Sequence, residues 1–127
     1  MVFNALMEFL MIAPHLSPFV DAGSLVFLSG QIAFDEHGAI TGDAATQTHR
    51  CLQRLERVLR DAGLALPDVV KCTIWLRHES DFSAFNDAYA GYFGAHKPAR
   101  STVISGLALP DALVEIEAIA CRRSTEH

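Results

Sequence analysis

A chain of 127 residues, half of them hydrophobic, suits one domain that buries roughly two-thirds of the surface its unfolded form exposes. No apolar run approaches the roughly 20 residues of a membrane span. Ten Lys and Arg against fifteen Asp and Glu give a net charge of -5, which disfavours non-specific binding to nucleic acid and leaves room only for a local basic patch.

Cys51, Cys72 and Cys121 are odd in number, far apart and set in apolar patterns, as expected of reduced, packed thiols. Residues 1–12 contain no Lys or Arg and lead into no small-residue cleavage pattern, so they make a poor secretory signal and a cytoplasmic protein is expected. So apolar a soluble chain is also expected to cover a second surface with copies of itself.

Taken in order, residues 5–12 form an apolar run whose shortness and closing Ala-Pro favour a strand. Residues 15–23 carry the Ser, Pro, Asp and Gly of a loop. Residues 24–34, apolar on both faces, predict a central buried strand. After the turn at 35–43, Asp43 is placed to cap a helix. Ala44, Thr48, Cys51, Leu52, Leu55, Val58, Leu59 and Ala62 recur at three- and four-residue spacing, and Gly63 follows as a stop.

Val70, Cys72, Ile74 and Leu76 alternate along a strand over 69–77 with Val69, Lys71, Thr73, Trp75 and Arg77 on the opposite, more polar face. Ser80 or Asp81 is placed to cap a second helix, with Phe82, Phe85, Tyr89 and Phe93 as its aromatic stripe and His96-Lys-Pro as its break. Two last strands, at 98–105 and 113–121, with turn signals from Gly106 to Pro110 between them, predict a hairpin.

Each helix has a single apolar stripe, so both are expected on one face of one sheet, a two-layer α+β domain spanning 1–127. In the last strand Glu115 and Glu117 share a face with Leu113, Ile119 and Cys121, opposite Val114, Ile116, Ala118 and Ala120. If the small and branched face packs on the helices, both carboxylates look to the uncovered side, where another subunit would sit.

The histidines at 15, 37, 49, 78, 96 and 127 show no metal-ligand spacing, and no phosphate loop, dinucleotide glycine pattern or nucleophile elbow occurs. Ser29 before Gly30 reads first as a strand-end serine beside a permissive glycine, and Asn86 as a surface helical residue. Arg100 and Glu115 ask for more explanation. A guanidinium offers a planar fork to a carboxylate, and a carboxylate among apolar neighbours can hold or take a proton. A structural ion pair, with Arg100 neutralising Glu115 or Glu117, accounts for them equally well on chemistry alone.

Pro-Ala-Arg-Ser at 98–101 and Val-Glu-Ile-Glu-Ala-Ile-Ala at 114–120 resemble motifs of the reactive intermediate deaminase family, also called Rid or YjgF. Ser-Gly-Gln at 29–31, Asp-Val-Val-Lys-Cys-Thr at 68–73, and Asp81, Phe82, Asn86, Tyr89, Tyr92 and Phe93 fall in the same order, so the similarity spans 13–122. The resemblance implies a chorismate-mutase-like fold, a homotrimer with ligand clefts between subunits, and hydrolysis of enamines or imines such as 2-aminoacrylate to 2-oxo acids and ammonia. It implies no metal and no cofactor.

By resemblance, Arg100 clamps the substrate carboxylate and Glu115 positions or activates water, while Ser29, Gly30 and Asn86 line or support the pocket. Leu16 stands where the best-known members carry Tyr, and Thr102 where they carry Cys; both bear on substrate identity. A non-catalytic trimeric module for a small carboxylate is the alternative. An endoribonuclease or translation inhibitor, labels some members have carried, is disfavoured by the acidic balance.

Overall fold

The computed structural model describes residues 14–123. Strands β1 (Phe19–Asp21), β2 (Leu25–Ile32), β3 (Val69–Leu76), β4 (Ala99–Ile104) and β5 (Val114–Cys121) form one five-stranded sheet. Helices α1 (Ala44–Asp61) and α2 (Phe82–Phe93) pack together on one of its faces. No helix among the described residues is long and apolar enough to cross a membrane. The strand expected at 5–12 lies outside the described residues.

The sheet order is β1-β2-β5-β3-β4. β5 is antiparallel to both β2 and β3, so those two run parallel to each other with the last strand between them. β4 pairs with β3 in parallel, the arrangement a helical crossover permits. The two-layer expectation therefore holds, but the hairpin does not: β3 separates the strands that were to pair. The intervening loop crosses the end of β3, where Arg77 Nε donates to Ala112 O at 2.8 Å and Arg77 Nη2 to Leu109 O at 2.8 Å. Turn residues marked that loop correctly without revealing what it steps over.

Helix α1 forms as its sequence dictates. Asp43 Oδ1 accepts from Thr46 N at 2.9 Å, satisfying a donor the first turn leaves free, and Gly63 follows the helix at φ 75°. Cys51, Leu52, Leu55 and Leu59 meet Val26, Leu28, Cys72, Ile74, Val114, Ile116, Ala118 and Ala120 in the main core. Phe85, Tyr89 and Phe93 of α2 complete it, while Phe82 stays 41% exposed. Asp81 holds the N-cap position without a side-chain capping bond, and Gly94 at φ 64° ends α2 before His96 is reached.

Three further expectations need correction. Phe19–Asp21, expected as loop, is an edge strand on β2; three residues are too few to show a period. β2 is internal, but Leu25 and Phe27 remain exposed because the second face of the sheet has no covering layer among the described residues. In β3 the register against β5 shifts between Val69 and Lys71, so Val69 is buried while Val70, assigned by alternation to the inner face, is 43% exposed.

Gln47 is fully buried, although a polar side chain gives no sequence signal of a core position. Its Nε2 donates to Gly42 O and Asp111 O, both at 3.2 Å, and its Oε1 accepts from Leu113 N at 2.8 Å. It thus joins the start of α1 to the approach of β5. Gln47→Leu keeps the bulk and orphans these groups, and should lower unfolding stability by about 2–3 kcal/mol in urea titration. A loss within about 0.5 kcal/mol, the range of neutral surface changes, would count against this link.

Candidate functional site

Glu115 opposes Trp75 of β3 and Ile32 of β2. Because Val114 and Ile116 are buried under the helices, its side chain emerges on the open face, as the alternation predicts. There it lies against Gly30: a methyl group at that position would overlap Glu115 Oε2 and stand 3.1 Å from Cδ and 3.3 Å from Cγ. Gly30 is required for this close approach. The β2–β5 register shifts between Leu28 and Gln31, and this bulge gives the carboxylate its seat.

Burial, and then the charge of Glu117, hold the Glu115 carboxyl above its ordinary 4.5. No described side chain forms an ion pair with Glu115. Ser29 Oγ donates to Ser17 O at 2.6 Å and its N to Pro18 O at 3.0 Å, fixing the segment that carries Leu16. Leu16, Ser29 and Gly30 then line one cavity of about 370 Å³, together with Pro18, Ile32 and residues of α1.

Arg100 belongs to a different place. It opposes Cys72, which is buried on the helix side, so its side chain leaves the sheet on the face opposite to Glu115. Its Nη1 donates to Asn86 Oδ1 at 2.9 Å. The guanidinium carbon lies 5.9, 5.4 and 5.0 Å from the ring centres of Phe82, Phe85 and Tyr89. Aromatic faces and one amide therefore fix the group while its remaining N–H donors stay available. Thr102 follows on the same face of β4, half-buried.

The structure thus joins Leu16, Ser29, Gly30 and Glu115 in one half and Asn86, Arg100 and Thr102 in another. It does not bring the halves together within one chain. This excludes the intrachain ion pair that chemistry alone left open. Arg54, Arg57 and Gln31 also line the first cavity, although the apolar periodicity of α1 leaves both arginines off its core stripe. Their spacing with Arg50 was the available signal. Among the described residues no cluster of His, Cys, Asp and Glu is arranged to hold a metal ion.

A family model described as Endoribonuclease L-PSP matches residues 9–122. The chain belongs to the Rid/YjgF family. The 3-aminoacrylate deaminase RutC of Acinetobacter baylyi is 41% identical over 112 residues, covering 84% of this chain and 89% of that protein. The YjgF gene product of E. coli is 35% identical with a TM-score of 0.81, covering 88% of this chain and 91% of its own. E. coli TdcF, solved with bound serine, is 34% identical with a TM-score of 0.82, over 87% and 90% of the two chains. Rid/YjgF membership and the two helices on a mixed sheet agree with what the sequence motifs implied.

A carboxyl held above its ordinary range keeps a proton in the folded state after the unfolded chain has lost it. The stability it contributes is complete below about 4.5, the unfolded value, and is lost as pH rises through the folded one. Glu115→Gln removes that loss. The variant should melt higher than the parent near pH 8, and the gap should close as pH falls toward 4.5. A gap that does not change with pH would mean that Glu115 titrates as an ordinary surface carboxylate.

Proposed function

We propose that the protein hydrolyses small 2-imino acids and their enamine tautomers, of the 2-aminoacrylate kind, to 2-oxo acids and ammonia. It uses no metal or cofactor and does so at a site completed by a second copy of the chain in a homotrimer. One observation carries this reading: a carboxylate seated against Gly30 with no ion-pair partner among the described residues, and a pre-set guanidinium on the opposite face of the same sheet. Each half lacks what the other has. The deaminase activity named for the Acinetobacter relative and the serine bound to the TdcF relative support it.

The open face supplies a reason to associate. Val20, Phe27 and Val103 project from it 55%, 44% and 42% exposed, apolar area that favours contact with another copy. Arg100 of one copy receives the substrate carboxylate on the donors Asn86 leaves free. Glu115 of another takes a proton from water as the water oxygen bonds to the carbon of a protonated imine and the C=N pair moves to nitrogen. Glu115 then returns that proton to the amine nitrogen. Ammonia leaves as the hydroxyl oxygen forms the C=O bond and loses its own proton to the restored carboxylate, and from there to solvent.

Leu16 supports a second reading, a carboxylate-binding module without turnover, because it brings no hydroxyl to the cavity. Ribonuclease activity has less support, since a chain of net charge -5 lacks the broad basic surface that a phosphate backbone needs.

Coupling the protein to a serine or threonine dehydratase and following oxo-acid release tests the proposal. Acceleration by the parent, lost at least about 100-fold in Arg100→Ala, is expected. No acceleration together with saturable 2-oxo-acid binding would establish the binding module instead. Gly30→Ala is a separate test of the seat. The obstructing carboxylate can swing aside, so stability should change by no more than about 1 kcal/mol. Activity should fall about tenfold or more as Glu115 leaves its place, a fall larger than such a stability change explains.

A further inference from the structure

The cavity at Ser29 and Gly30 extends to α1, where Arg54, Arg57, Val58 and Asp61 form its wall. Arg54 and Arg57, with Phe34, also line a second cavity of about 390 Å³ together with Asp35, Glu36, Arg50 and Gln53. Arg54 is held in place: its Nε donates to Gln31 Oε1 at 3.2 Å, and its guanidinium carbon lies 5.3 Å from the centre of the Phe34 ring. It is therefore fixed by residues on the strand segment that follows Gly30.

Among the described residues no carboxylate forms an ion pair with Arg54 or Arg57. Asp35 accepts instead from His37 N, Ala39 N and Thr41 Oγ1, while Arg50 is bound to Thr41. Asp61 stands on the same wall as the two arginines and Glu36 borders the second cavity. Burial, and then the like charge of Arg57, make the Arg54 cation harder to keep. An anion lodged between the two guanidinium groups would relieve both effects.

We propose that Arg54 and Arg57 form a subsite for a second anionic group, so that the protein selects 2-imino acids whose side chain ends in a carboxylate or a phosphate. The reactive end lies toward Ser29 and Gly30, and the distal anion toward α1. This deepens the deaminase reading and rests on it for the identity of the reacting group. The binding of the distal anion stands on the arginine pair alone.

Calorimetry with 2-oxobutanoate, 2-oxoglutarate and 3-phosphohydroxypyruvate tests it in the full chain. Either or both of the ligands with a second anionic group should bind about tenfold more tightly than 2-oxobutanoate, and the two arms decide between carboxylate and phosphate. Arg57→Glu should abolish that preference and Arg57→Lys should keep part of it. Hydrolysis of imines made in place by amino-acid oxidases from glutamate and from 2-aminobutanoate should show the same change in ratio. Equal affinity for all three ligands, or a preference that Arg57→Glu leaves intact, overturns the subsite. If the preference appears but no imine is hydrolysed, the subsite stands and the deaminase reading falls; if neutral imines are hydrolysed without preference, the reverse holds.

Discussion

The alternation of side chains along β5 is the constraint on which the site depends. This strand is bonded on both sides, to β2 and to β3, and Val114, Ile116, Ala118 and Ala120 are sealed beneath the helices. Moving Glu115 to the helix side would require a one-residue slip that expelled that whole apolar set. The carboxylate is therefore held on the open face by the packing of its neighbours, where burial, and then the charge of Glu117, raise its affinity for a proton. Arg100 is fixed by the same logic on β4, where pairing with Cys72 sends it to the other side.

The separation of these charges has an electrostatic advantage. Had they met within one chain, a neutralised pair would have resulted, with the arginine's donors occupied and the carboxyl drawn back down. Instead the guanidinium is held by rings and an amide that carry no opposing charge. Neither group has an ion-pair partner among the described residues.

Much of this could be read from the residues. The periodicity of α1, its Asp43 cap and its Gly63 stop were all legible because each is a local rule. So was the orientation of Glu115, which needs only a period of two. What escaped depends on partners distant in sequence. No pattern within 98–121 says that β3 separates β4 from β5, and the bulge that buries Val69 and exposes Val70 arises from a register with Ala120 and Ile119. Gln47 and Arg77 look like surface residues until the 105–113 loop they hold is in place. Only the family resemblance assigns Leu16, Ser29 and Gly30 to one pocket, and their shared cavity is a product of the fold. Ser17 O accepting from Ser29 Oγ is the contact that ties the loop to the strand.

The position of β5 also governs how the chain reaches its native state. The fifth strand fills the gap between two strands that precede it in sequence, so β2 and β3 are joined only through β5. Without β5 each of them has an unpaired edge, and the ladders that close the sheet join strands far apart in sequence, the kind of pairing whose loop-closure entropy slows folding. One strand thus covers two backbone edges at once, those of β2 and β3.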